Sequence, residues 1–370
     1  MLAVTRHLLA VFLGGLLLCF SKIAVAQTDL KSWAYVAYWM GQSWQESKLE
    51  KIDRLLFFSI HIDKQGQVAD FNGWPERWLP LSEAARQANK PLDLTLTLFE
   101  ADTFNQLFSS NKSSKQFKET VFDLSKMDGV SGIHLDIEVY SGATKQAVKN
   151  YQVIVKELAK QLSSLSPPRQ LSVFYPVGSA LPLYEPSTLK QLQAVVFQAY
   201  DAHWSGASRA GPNAPLRGDF ALTWEKLYQL REQLELTNAD TLFSFPLYGY
   251  EWQVKAAEAF AETLGNGTTT TFANLPKSLL PDLRTSISQR VQQYGAIHDP
   301  WTGSAYYKFN LAQNGPWIEG WFDDWWTLRQ KMNFLCEKNM TGMAFFPLGY
   351  DNNELTDHFY KHRSCLRSED

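Results

Sequence analysis

Short runs rich in β-branched and aromatic residues alternate with longer amphipathic stretches from about residue 33 to residue 361. Runs bounded by turn residues read as strands, and apolar positions recurring at three and four read as helices. The pattern predicts strands over 33–39, 54–62, 92–99, 132–139, 170–175, 194–200, 241–247 and 342–347. Helices are expected between most of them, among them 113–126, 145–164 and 223–236. One regular cycle of eight strand and helix units is the grammar of an α/β chain closed into a (β/α)8 TIM barrel. A doubly wound open sheet is the competing architecture, but no glycine-rich phosphate fingerprint follows any of the strands.

Between the seventh and eighth strands lie roughly 90 residues, too many for one βα unit, so a small insertion or elaborated loops are expected there as a wall of the site. That stretch holds Asn266-Gly-Thr-Thr-Thr-Thr271 and a tryptophan-rich segment ending at Trp326. No proline, glycine or serine linker marks a boundary, so residues 27–370 read as one domain.

The first residues change the picture. Arg6 and His7 precede an apolar run from Leu8 to Phe20, and Ala24-Val-Ala26 closes it. Basic start, apolar centre and small-residue end describe a signal peptide over 1–26, cleaved after Ala26, and a secreted or periplasmic protein. A membrane anchor is the rival reading, against which the run is shorter than the ~20 residues needed to span. No second run of spanning length follows. In an oxidising compartment Cys336 and Cys365 either pair or stay as two free thiols.

Charge narrows the ligand. The chain carries 35 basic and 38 acidic residues without long single-sign runs, so it has no electrostatic footprint for nucleic acid. Aromatic residues make up 14%, more than a core needs, which places some rings on a groove for a neutral or weakly charged ligand. No motif calls for a metal or another cofactor; His358 and His362, spaced i, i+4 without a carboxylate partner, read as a solvated C-terminal face.

Reactive groups in a barrel sit at the C-terminal ends of strands, where residues i, i+2 and i+4 share a face. In Gly132-Ile-His-Leu-Asp-Ile-Glu138 that face carries His134, Asp136 and Glu138, while Ile133, Leu135 and Ile137 pack outward. A satisfied polar network is one account of three ionisable groups inside a barrel. Catalysis is the other: close neighbours raise the pKa of Glu138, which then donates a proton to a leaving group.

Ser131-Gly-Ile-His-Leu-Asp-Ile-Glu138 resembles the D-G-x-D-x-D-x-E segment of the family 18 glycoside hydrolases, the chitinase-like barrels. Gln198-Ala-Tyr-Asp201 is similar to the family's M-x-Y-D, Pro246-Leu-Tyr-Gly249 to its P-x-Y-G, and Gly342-Met-Ala-Phe-Phe346 to its glycine-led eighth strand. The resemblance implies a family 18-like catalytic domain that hydrolyses N-acetylhexosamine polymers with the sugar's own acetamido carbonyl as nucleophile. It makes Glu138 the acid and base, and Asp136 the group that orients the acetamido. Tyr200 and Asp201 complete the acetamido pocket, and Gln198 and Phe346 become substrate contacts; Tyr38 and Trp39, ending the first strand, either line the cleft, with Tyr38 as a substrate contact, or belong to the core. N-acetylated polysaccharides or oligosaccharides are the implied partners.

The chain departs from the family pattern at several points. Ser131 and His134 stand where Asp is usual, Phe346 stands in place of Trp, Leu94 to Phe99 lacks S-x-G-G, and Tyr250 replaces a common Arg. His134, if neutral, is expected to hydrogen-bond Asp136; if charged, to lower that group's pKa. Trp252, Trp301, Trp317, Trp321, Trp325 and Trp326 are either sugar platforms or an aromatic core, with Trp325 and Trp326 assigned to the core. Asn111-Lys-Ser, Asn266-Gly-Thr and Asn339-Met-Thr are glycosylation sequons only in a host that modifies secreted proteins. Two alternatives accompany the hydrolase reading. One is a catalytically inactive chitinase-like lectin, against which Glu138 is retained. The other is an ordinary acid and nucleophile pair, against which two carboxylates on one strand approach the sugar from one side rather than flanking the bond.

Overall fold

The structure, a computed structural model, describes residues 29–236, 240–275, 286–310, 312 and 315–365, so the leader read at 1–26 lies outside the described residues. Eight parallel strands form a closed ring. In chain order these are β1 (Lys31–Ala37), β2 (Arg54–Ile62), β4 (Leu92–Leu98), β5 (Gly132–Ile137), β6 (Gln170–Tyr175), β7 (Ala194–Phe197), β8 (Asp240–Pro246) and β14 (Gly342–Phe346), and β1 pairs with both β2 and β14. A short antiparallel strand, β3 (Val68–Asp70), lies on β2 outside the ring. The chain is a (β/α)8 barrel.

Burial reaches both faces of these strands. Every residue of β4 and β5 is buried, one face toward the barrel interior and the other under helices. Helices α1 (Leu79–Gln87), α2 (Ala101–Ser109), α3 (Asn111–Ser125) and α4 (Lys145–Ser163) cover this side. Helix α4 buries Ala147, Tyr151, Ile154, Leu158 and Leu162, an apolar stripe at helical spacing, and Thr144 caps it by accepting from the Ala147 N–H. The glycine that leads β14 is a packing requirement. A Cβ on Gly342 would lie 2.0 Å from the Lys31 carbonyl oxygen across the seam with β1.

The cycle is less regular than the pattern predicted. Only 3-10 turns join β1 to β2, and a four-residue helix, α5 (Pro186–Leu189), lies between β6 and β7. Strand pairing ends at Ala37 and Phe197, short of the predicted 39 and 200, so Tyr38 and Trp39 sit in a 3-10 turn and Gln198 to Tyr200 follow the strand as unpaired chain. Helix α6 (Trp224–Gln233) then leads to β8.

The expected insertion is a five-stranded antiparallel sheet ordered β10 (Thr268–Thr271), β9 (Tyr248–Val254), β13 (Trp317–Phe322), β12 (Ser304–Asn310), β11 (Ile297–Asp299). Leu247 alone separates β8 from β9, so this sheet grows directly from the C-terminal end of a barrel strand. Helix α7 (Ile287–Tyr294) packs on it, and α8 (Trp325–Glu337) returns the chain to the barrel. A fully buried ion pair between Lys331 of α8 and Asp323 joins the two parts. After β14, helix α9 (Glu354–His362) ends near Cys365, which is disulfide-bonded to Cys336.

The aromatic cluster divides. Trp252 and Trp321 are buried, whereas Trp301 is exposed, and Trp325, expected in a core, is 49% exposed at the first turn of α8. Its backbone position, set by the Asp324 cap, turns the ring outward toward His358. Trp326, also expected in a core, is half-buried, its ring tilted 36° against His298 at 4.7 Å. His358 and His362 share a face of α9 with rings 4.6 Å apart.

Candidate active site

Alternation along β5 stacks its polar residues from floor to mouth. His134 is fully buried, with Nε2 2.9 Å from the Tyr35 hydroxyl and Nδ1 2.8 Å from the Ser172 hydroxyl. A neutral imidazole has one donor and one acceptor, and a hydroxyl serves either role, so the ring is satisfied without charge. Burial, with the charge of Arg54 adding, lowers its pKa to about 3. Neither ring nitrogen bonds Asp136. The expected His134 to Asp136 hydrogen bond is absent because both nitrogens are already taken by β1 and β6.

Asp136 is 3% exposed, and among the described residues its Oδ1 has no hydrogen-bond partner. Burial and the charge of Glu138 raise its pKa well above the carboxylate range. Glu138 lies one residue past the last paired position, yet its N–H still donates to the Leu98 carbonyl at 3.0 Å, which keeps the strand's geometry. Its Oε2 accepts from the Tyr140 hydroxyl at 2.5 Å. Burial raises the Glu138 pKa; the Tyr140 hydrogen bond opposes this and the charge of Asp201 reinforces it.

The adjoining wall comes from the chain after β7, two strands along the ring from β5. Asp201 has φ 64°, and its N–H donates to Asn213 Oδ1 at 2.7 Å. This left-handed turn aims its carboxylate at β9, where Tyr248 and Tyr250 both donate to Oδ1 at 2.9 Å. Burial raises the Asp201 pKa, and those two hydrogen bonds oppose it. No helix begins at Asp201, so it is not the N-cap that a strand-end aspartate would otherwise be. Phe346, ending β14, forms a floor: Tyr200 stacks on it at 5.9 Å, and Tyr35 and Phe58 meet it edge-on at 5.4 and 5.3 Å. Together these groups line a cavity of about 320 Å³.

The family model for glycosyl hydrolases family 18 matches residues 31–351. The chain belongs to glycosyl hydrolases family 18. Among curated proteins none matches this family 18 sequence. Solved structures share its fold. A family 18 chitinase from Cycas revoluta in complex with (GlcNAc)3 superposes with a TM-score of 0.75 at 17% identity, covering 90% of this chain and 99% of that one. A family 18 N-acetylglucosaminidase from Paenibacillus barengoltzii gives 0.71 at 14% identity, covering 90% and 99%. A chitinase-like agglutinin from Robinia pseudoacacia gives 0.73 at 16%, covering 89% and 98%.

Of the residues singled out from sequence, Asp136, Glu138, Gln198, Tyr200, Asp201 and Phe346 line this family 18 cavity. His134 lies beneath it, bonded to the lining residue Tyr35. Tyr38 is not among the lining residues; its ring packs against Trp39 and His61 in the 3-10 turn. The sequence did not mark Tyr35, Tyr140 or Asn213, and it marked Tyr250 only as a departure from a common Arg. Tyr140 carried a signal, since it continues the series His134, Asp136, Glu138 by one more step of two. Tyr35 and Asn213 carried none, because their partners lie on distant segments.

Proposed function

We propose that this family 18 protein is a retaining glycosidase that cleaves N-acetylhexosamine polymers, with the substrate's acetamido carbonyl as nucleophile. The observation that carries the reading is the pairing of Asp136 and Glu138 on one face of β5, with Tyr200 and Asp201 from the chain after β7 lining the same cavity, floored by Phe346. Two carboxylates on one side of a bound sugar suit an acid and its helper rather than a flanking acid and nucleophile.

In the first step the acetamido oxygen attacks the anomeric carbon while Glu138 gives its proton to the departing glycosidic oxygen. Burial, which keeps Glu138 protonated to higher pH, supports this role. The unpartnered Oδ1 of Asp136 is free to engage the acetamido N–H and to stabilise the oxazolinium charge. Water then opens the oxazolinium ring, losing its proton to the Glu138 carboxylate. Phe346 offers an apolar face to the ring of the cleaved sugar. The relatives solved with N-acetylglucosamine oligomers support that class of ligand. Secretion behind a leader cleaved after Ala26 would place such an enzyme among extracellular or periplasmic polymers.

The test presents the chain beginning at Gln27 with chitooligosaccharides, peptidoglycan and N-acetylated exopolysaccharides, beside Glu138→Gln. Cleavage by the wild type and a loss of about 10²- to 10⁴-fold in the variant are expected. Undiminished cleavage by the variant would remove Glu138 from the mechanism. Binding of every substrate without cleavage would favour the lectin reading.

A further inference from the structure

We infer that the buried hydrogen-bond chain through Ser172, His134 and Tyr35 runs in one direction, with the imidazole protonated on Nε2 and the Tyr35 hydroxyl left as a donor turned toward Asp136. Ser172 is level with His134 in the register of β5 and β6, and Tyr35 reaches the ring from β1. Ser172 Oγ lies 2.8 Å from Nδ1, and Tyr35 Oη lies 2.9 Å from Nε2. Neither hydroxyl has a second hydrogen-bond partner among the described residues. A neutral imidazole donates from one nitrogen and accepts at the other. One hydroxyl therefore gives its proton to the ring, and the other keeps its proton for a different acceptor.

The surroundings decide which. If Tyr35 donated to Nε2, the ring would donate from Nδ1 to Ser172, and the Ser172 proton would need an acceptor inside a closed core. Ser172 is fully buried, and Thr95, paired with His134 from β4, has a buried hydroxyl that is itself without a partner. Ser244 on β8 shows how a barrel serine is satisfied: it accepts from the Ala199 N–H and donates to the Phe197 carbonyl. Ser172 has no such carbonyl among the described residues, so this arrangement strands a buried donor at the full cost of its desolvation. In the reverse arrangement Ser172 donates to Nδ1, the Nε2–H donates to Tyr35, and the remaining proton is that of Tyr35, which lines the cavity.

That proton meets negative charge. Asp136 and Glu138 line the same cavity, no lysine or arginine among the described residues does, and Oδ1 of Asp136 is buried without a partner. Burial first, and then the charges of Asp136 and Glu138, raise the Tyr35 pKa well above its ordinary value, so the hydroxyl keeps its proton. No hydrogen bond joins Tyr35 to Asp136 Oδ1, so the hydroxyl acts on the carboxylate as an oriented dipole. With the opposite tautomer Tyr35 would present only lone pairs to that carboxylate. The consequence rests on the proposed function, in which an ionised Asp136 engages the acetamido N–H and stabilises the oxazolinium. A carboxylate has about four acceptor sites, so the dipole favours the anion without taking the place of the acetamido group. Tyr35, His134 and Ser172 are thus positioning residues that act through Asp136.

Labelling the whole protein with 15N-histidine reads the tautomer directly, the His134 signals being assigned by their loss in His134→Asn. Near pH 7, Nε2 should give the shift of a protonated nitrogen and Nδ1 that of a bare one; the reverse overturns the inference. The effect on Asp136 is read by carboxyl-13C-aspartate labelling in the Glu138→Gln background, where Asp136 titrates without its neighbour. Adding Tyr35→Phe removes the dipole and should raise the Asp136 midpoint by about half a pH unit. A fall or no change overturns it, since the loss of facing lone pairs, or water admitted by loosened packing, favours the carboxylate. Neither measurement uses substrate, so if Glu138→Gln cleaves as fast as the wild type, the proposed function fails while the tautomer and the midpoint still judge this inference.

Discussion

Tyr35 Oη lies 2.9 Å from Nε2 of His134, joining β1 to β5 across residues 99 positions apart in sequence. With Ser172 on the other nitrogen, this contact makes His134 a neutral strut beneath Asp136 rather than a charged neighbour of it.

The strut has a stability signature. The folded pKa is about 3 against an ordinary 6.5, so between those values the unfolded chain binds a proton that the folded chain refuses. Stability from this group is full above pH 6.5 and is lost as pH falls, at about 1.4 kcal/mol per unit, until about pH 3. His134→Asn, which keeps hydrogen-bonding capacity but does not titrate, removes that slope. Urea unfolding of both proteins from pH 4 to 7 should show their difference shrinking as the pH falls. A constant difference would mean that the folded imidazole takes up its proton as readily as the unfolded one.

Asp201 acts on Glu138 through its charge. In Asp201→Asn the amide oxygen still accepts from Tyr248 and Tyr250, but the negative charge is gone. The Glu138 proton is then released at lower pH, so the alkaline limb of kcat/KM should move down. If the limb stays in place while kcat falls, Asp201 acts on the substrate alone.

The Cys336–Cys365 disulfide spans 29 residues of sequence, and closing a loop of that length stabilises by about 3–4 kcal/mol on the chain-entropy account. Chemical denaturation of the Cys336→Ser, Cys365→Ser double variant should show a loss of that order, with reduction of the wild type matching it.

Lys331 and Asp323 are 0% and 1% exposed. Lys331→Met strands a buried carboxylate and should lower stability by about 3–5 kcal/mol, whereas adding Asp323→Leu should recover most of it. Equal losses in the single and double variants would show that the site responds to volume rather than to charge.

What the sequence disclosed follows from the range of the interactions. Strands β4 and β5 were readable because leucine or isoleucine alternates strictly with polar residues along each, a period of two that needs no partner to be seen. The family motifs extended that reading to Gln198, Tyr200, Asp201 and Phe346. The end of β7 was misplaced because Tyr200 suits a strand locally, while the left-handed Asp201 that turns the chain depends on Asn213. His134 was paired with the wrong partner for the same reason, since Tyr35 and Ser172 stand on other strands. Trp325 looked like core by composition, but its place on the first turn of α8 decided otherwise.

The seam between β1 and β14 has a mechanical consequence. Asp29 bridges Ser364, and the Leu30 N–H donates to the Arg363 carbonyl, so the first and last described segments lie side by side. A pull that separates them loads this short bridge, and the disulfide passes the strain from Cys365 to α8, bypassing α9.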